Sequence, residues 1–172
     1  MSRTPIREAL QRLEDDGLVV TTATRRTFVS PVTLAQAREV FPIVAELEAL
    51  AIRLAVPRMD GEAFAAMRAA NERLATALAS EDAWAALEAD TALHGGFVSR
   101  AGNTELLGVL DELKSKVRRI EHAFWGGSDR TPSVRDHDEL IGALETGDIA
   151  LAQRVLTRNW ERGLDWISPE RV

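Results

Sequence analysis

The chain has 172 residues, a mass of 18.9 kDa and 45% hydrophobic residues. That is enough for one domain, or one domain and part of another, with a sizeable core, and it excludes wholesale disorder. There are 21 Lys and Arg against 27 Asp and Glu, a formal net charge of −6, and no cysteine. A disulfide framework and any thiolate metal or redox site are thereby excluded, and a cytoplasmic setting is expected. No run of 18 apolar residues occurs and Met1 is followed by polar residues, so neither a membrane span nor a signal peptide is expected.

The acidic total hides a local field. Residues 1–30 hold five arginines and four acids, whereas the remainder holds 16 basic and 23 acidic residues. A short, slightly basic head and a long acidic body suggest two modules with different partners. In the head, Ser2 is a good N-cap and Pro5 falls in a first turn. Ile6, Leu10 and Leu13 then repeat at helical spacing until Gly17, so residues 4–16 read as a helix. Leu18-Val19-Val20 and Thr27-Phe28-Val29 are β-prone runs around a polar tip, the layout of a β-hairpin, and Pro31 closes the unit. The expected boundary places a first domain at residues 1–31 and a second at 32–172.

Everything after Thr33 reads as helix. A first segment runs from 34 to about 56, where Pro42 either kinks or restarts it. Asp60 caps a second, to about Ala79. Ser80 or Asp82 opens a third, to about Arg100. A fourth covers about Thr104–Phe124, broken by Gly126-Gly127. Thr131-Pro132 starts a fifth that stops at Gly147, and Asp148 starts the last, which ends before Pro169. The expected fold class is mainly α: an antiparallel bundle of six or more helices behind a helix and hairpin.

Two sets of residues carry chemistry. Arg3 and Arg7 are four apart and share one helix face, with Ser2 and Thr4 at the helix N-terminus, where free N–H groups favour phosphate. Arginine pairs bidentately with guanine, and hydroxyls bind phosphate or base edges; the alternative is a surface helix with two solvated arginines. In the body, Asp90 and His94 lie on the apolar stripe of the third helix, His137 on that of the fifth and Asn159 on that of the last. Inward-facing Asp and His need partners, and either a divalent cation or a hydrogen-bond network supplies them. His122 follows Asp111, Ser115 and Arg118 along a polar face and reads as surface or pocket rim.

The stretch SRTPIREALQRLEDDGLV followed by RRTFVSP resembles the second half of the winged helix-turn-helix domain of GntR-family transcription regulators, that is, the recognition helix and the wing. The resemblance implies that Ser2, Arg3, Thr4 and Arg7 contact operator DNA and that Arg25 and Arg26 occupy the wing tip, where the family often has glycine. The family places two further helices, and usually a strand, before this point. These 172 residues are therefore expected to bind DNA weakly or not at all, which a gel-shift titration would test. The body resembles the FCD ligand-binding domain of FadR-type members through Leu47-Glu48, Asp90 to His94, Ala101-Gly102-Asn103, and His137 with Ala143-Leu144 and Gly147-Asp148.

That likeness implies a homodimer whose central pocket holds a metal on one Asp and three His and binds a small organic acid as effector. Asn159 stands where the third histidine would fall, so zinc or nickel is expected to be weakened or absent, with Asn159 a pocket residue or weak fourth ligand. Val44 stands where the family usually has an arginine; Arg118 and Arg119 are the candidate substitutes, and Trp125 and Trp160 candidate pocket walls. The competing reading is a metal-dependent HD-like phosphohydrolase built on His137-Asp138. The main reading is a transcription regulator, not an enzyme, in which effector binding alters operator affinity.

Overall fold

The computed structural model describes residues 3–126 and 128–167, with Arg3 described by its backbone alone. The chain divides into two compact units, residues 1–33 and 34–172.

The first unit is helix α1 (Arg3–Asp15) and a hairpin of β1 (Val19–Thr21) and β2 (Thr27–Val29), in antiparallel register with Val20 opposite Phe28. Gly17, at φ 70°, supplies the left-handed turn that ends the helix. The Glu14 carboxylate clamps helix to hairpin by accepting bonds from the backbone N–H and the hydroxyl of Thr21, at 3.0 and 3.1 Å. Apolar burial adds little here. Ile6, Leu10 and Leu13 are 57, 37 and 37% exposed, and Phe28 and Val29 are exposed as well.

Among the described residues the second unit is a bundle of six α-helices: α2 (Leu34–Ala55), α3 (Gly61–Ala79), α4 (Ala83–Val98), α5 (Thr104–Ala123), α6 (Thr131–Thr146) and α7 (Ile149–Ile167). The starts follow side-chain chemistry. Asp60, Asp82 and Asn103 each accept the backbone N–H three residues on, at 2.8, 3.0 and 3.1 Å. Asp148 does the same for Leu151 at 2.9 Å. Helix α4 stops at Val98 and tightens into a 3₁₀ turn over Ser99–Ala101 before Gly102.

Pro42 neither breaks nor restarts α2, which is continuous through it. The ring and Arg38, whose carbonyl loses its i+4 donor, lie on the exposed face, where water can serve that oxygen. On the inner face Phe41, Val44, Ala45 and Glu48 are buried, and Phe41 meets Trp160 of α7 edge-on, with ring centroids 5.3 Å apart. Burial there offsets a penalty of roughly 3 kcal/mol for an interior proline.

Helices α2, α3, α4, α6 and α7 bury their apolar faces against one another, and α5 packs on α2 and α4. No helix among the described residues is long and apolar enough to cross a membrane.

Candidate metal and effector site

Helix α4 brings Asp90 and His94 to one face, and α6 brings His137 opposite. One ligand atom from each lies within 4.8 Å of the others. His137 Nε2 is 3.5 Å from one Asp90 oxygen and His94 Nε2 is 3.9 Å from the other. The two imidazoles are buried, with ring centroids 5.3 Å apart, while the Asp90 side chain is 28% exposed.

The outer neighbours fix which nitrogen faces the centre. Asn71 Nδ2 donates to the Val134 carbonyl at 2.9 Å and to Asp138 at 2.8 Å. Its oxygen therefore accepts from His137 Nδ1–H at 3.1 Å. Burial lowers the His137 pKa to about 4, so the ring is neutral near pH 7 and Nε2 is a bare lone pair. That Nε2 is buried and has no hydrogen-bond partner.

His94 Nδ1–H donates to Glu48 at 2.7 Å, and the Trp160 indole donates to the same oxygen at 2.9 Å. The other Glu48 oxygen is ion-paired with Lys114. Burial alone would raise the Glu48 pKa; His94 and Lys114 overcome it and hold the carboxyl well below the usual range. Burial likewise opposes a charge on His94, but Glu48 and Asp90 outweigh it and raise its pKa.

With both Nδ1 positions occupied as donors, two nitrogens and a carboxylate face one point. A divalent cation is the partner that such a set of acceptors fits, and a carboxylate or amide behind each histidine is the support that such ligands need. Asp138 stands outside the group, because it accepts from Asn71; the His137-Asp138 pair is not a pair of ligands.

Beside the cluster is a cavity of about 40 Å³, lined by Asp90, His94, Glu121, Arg130, Asn159 and Trp160 among others. Asn159 is buried and donates through Nδ2 to Ser133 at 2.7 Å. Trp125 and Trp160 both line the cavity. Val44 is fully buried, and neither Arg118 nor Arg119 reaches the cavity lining. The nearby cations are instead Lys114, committed to Glu48, and Arg130. His122 is exposed, edge-on to Trp84.

In the first unit, Thr4, Arg7, Arg25 and Arg26 are exposed, with Arg25 at the hairpin tip at φ 60°. Ser2 lies outside the described residues, as does the Arg3 side chain.

Sequence reasoning missed Asn71, Lys114, Glu121 and Arg130, and used Glu48 only as a family mark. Glu48 and Asn71 had a signal, since each is a polar residue on an otherwise apolar stripe (Val44, Glu48, Ile52; Met67, Asn71, Leu74). Arg130 lies outside any periodic pattern, immediately before α6.

Comparison with known proteins agrees with this architecture. The FCD domain model matches residues 39–162. The chain belongs to the FCD-domain family, the helical class of the FadR-type GntR regulators. It is 30% identical over 131 residues to the Nta operon transcriptional regulator of Aminobacter aminovorans, covering 73% of this chain and 59% of that one. It is 36% identical over 106 residues to an uncharacterised HTH-type transcriptional regulator of Agrobacterium vitis, covering 59% and 61%. The chain thus spans about three fifths of the length of these relatives. Among solved structures, E. coli McbR/YncC superposes with a TM-score of 0.87 at 20% identity, over 97% of this chain and 85% of that one. A GntR-family transcriptional regulator of Pseudomonas syringae gives 0.64 at 22% identity, over 97% and 70%.

Proposed function

We propose that this chain is the sensing part, and part of the DNA-reading part, of a transcription regulator. In this reading residues 34–172 bind a small organic acid with the help of a divalent metal on Asp90, His94 and His137. Asn159 borders the same chamber as a weak further ligand or effector contact. The metal, when bound, offers positive charge and open positions to an anionic oxygen. Ser2, Arg3, Thr4, Arg7, Arg25 and Arg26 of the head face operator DNA. The protein works as a homodimer in the cytoplasm, and effector binding shifts operator affinity by its differential affinity for two arrangements of the dimer. The relatives are named as operon and HTH-type regulators, which supports the regulatory reading.

The observation that carries the proposal is the convergence of Asp90, His94 and His137, with the buried Nε2 of His137 left without a hydrogen-bond partner. Elemental analysis of protein stripped and reloaded with zinc or nickel tests it. About one ion per wild-type chain is expected, and little in His94→Ala. Wild-type protein that retains no ion after reloading refutes the metal.

A further inference from the structure

The chamber contains a cation that nothing so far has used. Arg130 is 8% exposed. Its guanidinium carbon lies 4.3 Å from the centre of the Trp125 ring and 5.4 Å from that of Trp166. These rings hold the guanidinium by cation–π attraction, which uses its face and not its N–H groups. Its Nη2 donates to the Phe124 carbonyl at 3.3 Å, and its Nε is buried without a hydrogen-bond partner. Among the described residues no carboxylate oxygen lies within 4.0 Å of its nitrogens, although Glu121 and Asp90 line the same cavity and favour its charge from farther off.

A buried arginine whose Nε–H has no partner is costly unless something completes its shell. Its position indicates what that is. Arg130 is the residue before α6, so the positive end of that helix's dipole adds to its field. The inner chamber, at about 40 Å³, has room for only about three water-sized groups. Arg130, Trp125 and Leu78 also line an outer recess of about 520 Å³. The guanidinium thus sits where a compact anionic head entering the chamber would meet it, with space outside for the remainder of a larger molecule.

We propose that Arg130, held by Trp125 and Trp166, is the specificity-determining residue for the effector's carboxylate. The inference rests on the effector-binding reading above. It names the residue that selects for the charge of that effector.

The test uses the full chain loaded with zinc, with glycolate as the probe and glycolamide, its uncharged counterpart of nearly equal shape, as control. Calorimetry on wild type is expected to show glycolate bound at least tenfold more tightly than glycolamide. Arg130→Gln should lose at least tenfold in glycolate affinity while still taking up about one zinc ion per chain. Arg130→Lys, which keeps the charge but not the planar fork or the stacking, should fall between, and it carries the test should the glutamine variant fold poorly. Glycolate affinity unchanged in both variants, or equal binding of glycolate and glycolamide by wild type, overturns the role of Arg130 while leaving the metal intact. Zinc-loaded wild type that binds inorganic phosphate but not glycolate overturns the carboxylate assignment. Wild type that takes up zinc but no anion removes the effector reading itself.

Discussion

At the scale of single residues the chamber is organised by what stands behind the histidines. Glu48 and Asn71 each occupy an Nδ1, so each ring presents Nε2 inward. Asn159 lines the chamber, and an amide oxygen is a poorer ligand for zinc or nickel than imidazole. Asn159→His is therefore expected to tighten zinc binding by about tenfold or more, on the order of what a well-placed ligand contributes; competition with a chelating dye measures it, and an unchanged affinity would show that position 159 is too far from the ion.

Glu121 gives a pH signature. Burial, then the neighbouring Asp90, raises its pKa to about 7 from an ordinary 4.5. Between those values the folded chain holds a proton that the unfolded chain has released, so this group makes stability fall as pH rises through the window and then level off. Glu121→Gln should remove that slope and stabilise the metal-free protein above pH 7 by at most about 3 kcal/mol. The difference in melting curves between variant and wild type from pH 4 to 8 isolates it from the opposing slope of His137, whose pKa is lowered to about 4. A flat difference would refute it.

At the scale of elements, the close approach of α3 and α4 sets the site. A Cβ built on Gly96 would lie 2.4 Å from Met67 Cγ, and Met67 is fully buried. Gly96→Ala should therefore cost about 1–3 kcal/mol through overpacking. Because Gly96 is two residues from His94, weaker metal uptake should accompany the fall in melting temperature. A variant as stable as wild type would mean that α3 and α4 can part without loss.

Helix starts and stops were legible because Asp60, Asp82, Asn103 and Gly147 act through local chemistry. The continuity of α2 was not, because it depends on which side of the helix Pro42 faces and on what Phe41 meets in α7. Asp90, His94 and His137 were legible as polar residues on apolar stripes. Arg130 was not, because only tertiary packing brings a residue from a non-periodic segment between two tryptophans.

At the scale of the whole molecule, stability is unevenly distributed. Every fully buried apolar side chain among the described residues lies between Ala37 and Ile167, within the second unit. Residues 34–172 alone are expected to melt within a few degrees of the full chain and to take up metal equally. A large loss of either would show that the head contributes to the core. The head itself is joined by Glu14 and a three-residue strand pair, with the apolar side of α1 open to water.

Glu48 gives the bundle an economy of connection. Rooted in α2, this one carboxylate touches His94 of α4, Lys114 of α5 and Trp160 of α7. A shift of His94 therefore bears, through Glu48, on bonds to three other helices. Four of the six rods share a single hub, and so filling or emptying the chamber is felt by most of the bundle together.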